Sequence, residues 1–397
     1  MLYHLFHYLE QTFNLPGASV FEYISFRAGT AAVLSLLIGL FFGGKIIRLL
    51  KSWHCIEKIR TLGLEGQEEK KGTPTMGGLL ILSSILIPTM LLARLDNIYI
   101  LLLIFTALWM GGIGFIDDYI KLKKGKEGLN PRLKIIGQVV CGLIAGLILI
   151  FHEDVVIRNL MPSEENISLW EHLDIKELIT TIPFVKDNEL NYMKVFSFLG
   201  EYYWIGYLGL VVFIVSAVSN GANIVDGLDG LAAGSSAIIG LTLAIFAYLS
   251  GNIIFSDYLN IIHIPDLGEI VIFCAAFVGA CIGFLWYNSY PAQIFMGDTG
   301  SMLLGGLIAI VSLIVRKELL IPVFCGIFLV ENLSVLLQVG YFKYSRWKTG
   351  TGKRLLLMAP WHHHFQQKGV HESKIVLRFW AIGILLAVLS LVTLKVR

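Results

Sequence analysis

Residues 98–118 read IYILLLIFTALWMGGIGFIDD, an apolar run that ends in two adjacent aspartates. Such a run is long enough to cross the hydrocarbon of a bilayer as a helix, which needs about 20 apolar residues. Channels and transporters tend to carry their charges at mid-membrane, whereas these carboxylates stand at the end of the run. The stretch therefore predicts a membrane helix that presents two acids at the level of the lipid headgroups.

The composition of the whole chain agrees with a membrane protein. Of its 397 residues, 56% are hydrophobic and 15% are charged, against roughly 45–50% and about 25% in soluble domains. The net charge of +2 carries little information by itself. The five cysteines form no metal-type pair, and we expect free buried thiols rather than a disulfide framework. We expect no cleavable signal peptide, because the N-terminus has no positive region followed by an apolar core.

Apolar segments of helical length recur along the chain. They predict an all-α polytopic integral membrane protein, one domain over 1–397, with ten transmembrane helices. The candidate spans are 28–50, 75–93, 98–116, 133–151, 202–219, 230–250, 269–286, 300–315, 319–341 and 375–394.

Basic residues assign the two faces of the membrane. The loops after spans 1, 3, 5, 7 and 9, with their flanks, hold 21 of the 31 lysines and arginines, and this excess marks the cytoplasmic side. An even number of spans then leaves both termini periplasmic. The loop 152–199 carries nine acids against four bases. We expect it to be an extracytoplasmic insertion with a short hairpin or surface helix, and 342–374 to be a cytoplasmic loop.

Two acidic motifs lie in the cytoplasmic loops. Asp117 and Asp118 stand beside Lys121, and a carboxylate pair of this kind suits divalent metal or phosphate chemistry; a polar helix end is the plainer interpretation. Asp298, in the run 288–301, precedes a small hydroxyl residue at the start of the eighth span. It is a candidate Mg²⁺ ligand, because Mg²⁺ binds one or two carboxylates plus substrate phosphates. Asp298 or Thr299 as an ordinary N-cap is the alternative.

Two further segments are rich in amides and histidines. Residues 220–230, NGANIVDGLDG, combine two amides, two carboxylates and glycines that let the backbone approach a ligand. Either Asp226 or Asp229 alone would also serve as a helix cap. His362, His363 and His364 lack the spacing of a zinc site. They suit hydrogen bonding to a diphosphate, with a polar loop that contains one structural histidine as the alternative.

Weaker signals complete the set of candidates. The segment KKGTPTMGG (70–78) places lysine and threonine at a helix start but lacks the P-loop pattern, so a basic cytoplasmic flank explains it equally well. Lys134 has the same ambiguity. Glu331, within the ninth span, is either functional or paired with another helix.

Five of these motifs together resemble one enzyme family, and they occur in its order: KGTPTMGG (71–78), GFIDDY (114–119), NGANIVDGLDGL (220–231), YPAQIFMGDTGS (290–301) and MAPWHHHF (358–365). The resemblance, which covers nearly the whole chain, is to phospho-N-acetylmuramoyl-pentapeptide transferases. These bacterial inner-membrane enzymes make the first lipid intermediate of peptidoglycan. One departure is Gln366, where the family often has a glutamate.

The resemblance implies ligands and roles. It implies Mg²⁺, UDP-N-acetylmuramoyl-pentapeptide, undecaprenyl phosphate, a lipid bilayer and a homodimer, and no nucleic acid. The implied catalytic residues are Asp117, Asp118 and Asp298, with Asp298 as the metal ligand. The candidates for substrate binding are Lys70, Thr75, Lys121, Lys134, Asn220, Asn223, Asp226, Asn288, Phe295, His362, His363 and His364.

Three alternatives remain open from the sequence. A sister transferase that uses a UDP-N-acetylhexosamine would share the double-aspartate and DGLDG motifs, although the histidines after MAP favour the muramoyl-pentapeptide enzyme. A secondary transporter would need mid-membrane charges and internal repeats, and only Glu331 fits. A cell-wall scaffold would not need the carboxylates.

Overall fold

The structure, a computed structural model, describes residues 1–13, 17–56, 70, 72–124, 128–162, 170–183 and 189–395. Helices dominate it. They are α1 (Leu2–Phe13), α2 (Ile24–Ser52), α3 (Gly78–Leu92), α4 (Ile98–Lys124), α5 (Pro131–Phe151), α6 (Tyr192–Val195), α7 (Tyr203–Val225), α8 (Leu231–Ser250), α9 (Ile253–Leu259), α10 (Gly268–Asn288), α11 (Gly297–Ile314), α12 (Ile321–Phe324), α13 (Gly326–Thr349), α14 (Trp361–Gln367) and α15 (Glu372–Val392).

The polytopic prediction is confirmed for the described residues. Eight helices are long and apolar enough to cross a membrane: α2, α4, α5, α7 with the turn before it, α8, α10, α11 and α15. The predicted span 319–341 is instead a broken helix, since Glu318–Phe324 and Gly326–Thr349 meet at an angle of 79°. The predicted span 75–93 contains α3, which is apolar but only 15 residues long. The count of ten spans and the sides of the termini remain predictions.

Helix α3 is shorter than its apolar run because the residues before it pair with another segment. Phe295 N donates to Pro74 O at 2.8 Å, and Gly77 and Gly78 donate to Phe295 O and Met296 O, each at 2.9 Å. These bonds hold the TPTMGG segment against the start of α11. A methyl group at Gly78 would lie 2.1 Å from Gly300 N, so this contact depends on glycine.

The segment 152–199 contains the predicted hairpin. Strands β1 (Ile157–Pro162) and β2 (Trp170–Ile175) pair antiparallel, as do β3 (Ile179–Thr181) and β4 (Glu189–Asn191). The β3 strand docks on the loop after α11: Thr181 N donates to Arg316 O at 3.2 Å, and Lys317 Nζ donates to Thr181 Oγ1 at 2.6 Å. Among the described residues, the helical fold therefore carries two short sheets, both in this one segment.

A buried ion pair fixes one end of the bundle. Arg27 of α2 donates from both terminal nitrogens to Glu269 of α10, at 2.8 and 2.9 Å. The same guanidinium reaches Leu92 O at 3.2 Å, and Arg94 N donates to Glu269 at 2.8 Å. Because paired charges compensate each other's loss of hydration, this contact joins α2, α10 and the α3–α4 connection.

The contact between α2 and α10 relies on small residues. Gly279 and Gly283 lie four residues apart on α10, and a methyl group at Gly279 would lie 2.4 Å from Ala32 O. One at Gly39 would lie 2.9 Å from the Gly283 Cα. Ser35 Oγ donates to Ala276 O at 2.7 Å. Small residues at this spacing let membrane helices approach closely.

Gly279→Ala should therefore destabilise the protein by about 1–3 kcal/mol, as overpacking usually does, and lower its midpoint of thermal unfolding in detergent. Gly29→Ala, on the partner helix α2, is the control, because a methyl group there meets no atom within 4 Å. Equal stability of the two variants would contradict the close α2–α10 packing.

Candidate active site

Asp118 holds the start of α11. Its carboxylate accepts the backbone N–H groups of Asp298 at 3.1 Å and Thr299 at 2.9 Å, and the Thr299 hydroxyl at 2.6 Å. An acid at a helix N-terminus satisfies free N–H groups and favours the helix dipole. Asp118 thereby fixes the backbone of Asp298, the residue that follows Gly297. A methyl group at Gly297 would lie 2.5 Å from Asp118 and 3.0 Å from Thr75 Oγ1, so Thr75 borders this contact.

Asp117 faces in a different direction, as adjacent helical residues do. It is fully buried. One carboxylate oxygen lies 2.7 Å from Lys121 Nζ and 2.9 Å from Lys134 Nζ, and the other accepts Leu129 N at 2.7 Å. Asp117 thus ties α4 to the beginning of α5. The two aspartates therefore differ in their contacts: Asp118 holds the start of α11, and Asp117 joins α4 to α5.

Asp298 completes a cluster of three carboxylates. Lys134 Nζ contacts Asp298 Oδ2, and Lys121 Nζ lies 3.1 Å from the same oxygen. Asn223 donates to the other carboxylate oxygen of Asp298 at 3.0 Å. One oxygen from each of Asp117, Asp118 and Asp298 falls within 4.8 Å of the others. Oxygen donors of this kind are the ligands Mg²⁺ prefers, so the residues fit that ion.

A second cluster lies around Lys70. Its Nζ lies 2.7 Å from Asp229 and 2.7 Å from Glu372 at the start of α15. Glu372 also accepts Asp229 N at 2.7 Å, and Asn288 Oδ1 accepts Gly230 N at 3.0 Å. Lys70 and Asn288, both predicted to bind substrate, are therefore engaged with protein groups in this cluster. Sequence reasoning missed Glu372, and one acid at a helix start gives no distinctive signal.

The three histidines have three environments. His362 is fully buried beside Glu331. The His363 Nδ1 bonds to Gln366 Oε1 at 2.7 Å, and Gln366 in turn donates to Glu372 at 3.4 Å. His364 Nδ1 accepts Leu357 N at 3.2 Å. His363 thus connects through side chains to the Lys70 cluster.

Burial and the neighbouring His362 lower the pKa of His363 to about 4. The ring is therefore neutral at pH 7. Since the carbonyl oxygen of Gln366 only accepts, Nδ1 of His363 carries the proton and Nε2 is an acceptor.

The remaining predicted residues lie nearby or face other partners. Asn220 donates to Gln138 Oε1 at 3.0 Å and to Ser216 O at 2.8 Å, which ties α7 to α5. Asp226 follows the last residue of α7 directly. Phe295 is half-buried, and its backbone pairs with the TPTMGG segment.

Known proteins match this chain over its full length. Residues 100–316 match the glycosyl transferase family 4 model, and residues 70–82 match the phospho-N-acetylmuramoyl-pentapeptide-transferase signature 1. Proteins of that name from Flavobacterium psychrophilum, Amoebophilus asiaticus and Bacteroides fragilis are 56%, 57% and 50% identical, each over the full length of both chains. The chain belongs to the phospho-N-acetylmuramoyl-pentapeptide-transferase family. The family signature covers the segment that packs against the start of α11.

Lys134 should compete with a divalent cation for this cluster, because its ammonium group contacts two of the three carboxylates. Lys134→Met should bind Mn²⁺ about tenfold more tightly in the absence of substrates, since an ammonium at this distance is worth more than 1 kcal/mol. Electron paramagnetic resonance titration of free Mn²⁺ measures this. Arg132→Met, which removes an exposed cation from the same helix, is the control. Unchanged or weaker Mn²⁺ binding by Lys134→Met would place the ion elsewhere.

Proposed function

We propose that the protein transfers phospho-N-acetylmuramoyl-pentapeptide from its UDP carrier to undecaprenyl phosphate, which gives lipid I and UMP. This is the first membrane step of peptidoglycan synthesis. The observation that carries the proposal is the full-length identity of 50–57% to transferases of this name, in a chain that gathers three carboxylates and two lysines at its helix ends. We place the protein in the bacterial inner membrane, as a homodimer, with this cluster on the cytoplasmic side.

Asp298 would hold Mg²⁺, with Asp117 and Asp118 beside it. The ion would supply positive charge against the phosphates of two anionic substrates. The chain prepares its ligand geometry in advance, because Asp118 fixes the backbone of Asp298, and Asn223 orients its carboxylate.

The reaction needs little proton transfer. A phosphate oxygen of undecaprenyl phosphate forms a bond to the sugar-side phosphorus of the diphosphate, and the bond to UMP breaks. The second pKa of a phosphate monoester is about 6, so the nucleophile is largely ionised at neutral pH. Phosphoryl transfer then depends on positioning and on charge neutralisation. We assign charge neutralisation to Lys121 and Lys134. For Asp117 we favour a role in positioning these two lysines rather than a role as general base.

We place the nucleotide side of the substrate beside the carboxylate cluster, where Asn223 donates to Asp298. Asn223, Asp226 and Asn288 lie on the segments that flank the carboxylates, and the half-buried ring of Phe295 is available to stack on uracil.

The three alternative functions predict different experimental results. A hexosamine transferase would accept UDP-N-acetylhexosamine in place of the muramoyl-pentapeptide nucleotide. A transporter would move solute without UMP release; its best sequence feature, Glu331, is bonded to the backbone of α14. A scaffold would bind no Mg²⁺-dependent ligand.

Purified protein supplied with both substrates should release UMP only when Mg²⁺ is present. Asp298→Ala should abolish release at any practical Mg²⁺ concentration, because the proposed ligand is gone. Asp257→Ala, which removes an exposed acid from α9, is the control and should retain the rate. Near-normal release by Asp298→Ala would remove this residue from the metal site, and preference for UDP-N-acetylhexosamine would favour the sister enzyme.

The role of Asp117 can be read from the pH dependence of Asp117→Asn. If Asp117 positions the lysines, the variant should stay slow at every pH, with a profile parallel to that of the unmodified enzyme. Rates of UMP release between pH 5 and pH 9 provide the measurement. A ratio of the variant rate to the unmodified rate that climbs toward one as pH rises past the ionisation of the lipid phosphate would establish Asp117 as the base.

A further inference from the structure

Helix α13 carries three polar side chains at intervals of seven residues: Glu331, Gln338 and Ser345. Seven residues are close to two turns of an α-helix, so the three side chains lie on one face. We refer to them as the α13 stripe. The loop that returns from the end of α13 toward the histidines runs along this face.

Two members of the α13 stripe, Ser345 and Gln338, accept backbone N–H groups from that loop. Ser345 Oγ accepts Lys353 N at 2.8 Å. Gln338 Oε1 accepts Leu355 N at 3.0 Å and Leu356 N at 2.8 Å. The loop and α13 therefore run antiparallel, held by side chains in place of a second helix.

Glu331 is the member at the end of the stripe nearest the histidines, and both of its carboxylate oxygens accept backbone N–H groups. One carboxylate oxygen accepts Trp361 N at 2.8 Å, and the other accepts His362 N at 3.1 Å. These are the first two residues of α14. Glu331 and His362 are both fully buried. A buried carboxylate is costly unless its oxygens are bonded, and here the backbone of α14 provides those bonds.

The placement of α14 decides where two histidines meet the rest of the site. The His362 Nδ1 lies 3.2 Å from Glu331. Its Nε2 is buried with no hydrogen bond to any residue that the structure describes, and it lies against Gly227, where a methyl group would be only 2.3 Å away. One residue on, His363 bonds to Gln366, which leads to Glu372 and Lys70. A shift of α14 would move both rings relative to the 220–230 segment.

We propose that Glu331 is a positioning residue for the transferase reaction: it fixes the start of α14 and so the orientation of His363 toward the nucleotide substrate. The kinetic part of this inference rests on the proposed function. The structural part does not, because the order of α14 can be measured without turnover.

Glu331→Gln tests the inference, because it keeps the size of the side chain but replaces one acceptor oxygen with a donor that faces an N–H group. In hydrogen–deuterium exchange, the amides of 361–367 should exchange about tenfold faster, as expected for a lost charged hydrogen bond. Those of α15 should not change. Ser345→Ala is the matched control: it removes the far end of the same stripe and should leave the exchange of α14 unaltered.

The kinetic arm uses both substrates. Glu331→Gln should raise KM for the UDP-linked substrate about tenfold and change KM for undecaprenyl phosphate less than about twofold. In a His363→Ala background the same substitution should change KM for the nucleotide less than about twofold, because coupled residues are not additive. If Glu331→Gln does not fold, Glu331→Asp keeps the charge and should show the same changes to a smaller degree.

Unchanged exchange of 361–367, or a full effect of Glu331→Gln without the His363 side chain, would overturn the inference. So would equal increases in both KM values, which would indicate general damage. Failure of the proposed function has a different signature, since the unmodified protein would then release no UMP.

Discussion

Three carboxylates whose oxygens lie within 4.8 Å of one another repel each other at a helix end unless cations stand among them. In this protein those cations are Lys121 from the same helix and Lys134 from the next one, together with the N–H groups at the start of α11. Acids outnumber ammonium groups by one in this cluster. The two ammonium groups hold the three carboxylates together before ligands bind. The cluster still lacks one positive charge, which favours binding of a divalent ion.

The same constraint explains why the site needs so many elements. Asp117 and Asp118 come from α4, Lys134 from α5, Asn223 from α7 and Asp298 from α11. Each helix delivers its polar residue at one end, where the backbone itself has free donors or acceptors. The bundle positions these ends through contacts made elsewhere, including the Arg27–Glu269 pair near the opposite end of α10 and the glycine contact between α2 and α10.

Much of this arrangement was predictable from the sequence. The motif acids and their lysines could be assigned to one surface by counting apolar runs and basic loops, and the structure brings Asp117, Asp118, Asp298, Lys121 and Lys134 together. The bend before α13 could not be predicted, because a window of apolar residues is the same for a straight and a broken helix. The short α3 follows from backbone pairing between residues more than 200 positions apart, which no local pattern reports.

Partner choice was the least predictable property. Lys70 suggested phosphate binding, yet its partners are Asp229 and Glu372, from distant parts of the chain. Glu331 had two open interpretations, and pairing with the backbone of α14 is the one observed. The three histidines are adjacent in sequence but differ in environment because α14 turns each one toward a different element. Their spacing alone does not contain this information.

We propose that Asp298 holds a divalent cation amid Asp117, Asp118 and the two lysines. Anomalous X-ray scattering from crystals grown with Mn²⁺ and UMP tests it most directly. We expect one strong peak within coordination distance of a carboxylate oxygen of Asp298, with Lys134 displaced from that oxygen. A peak at the histidines, or none near Asp298, would contradict it.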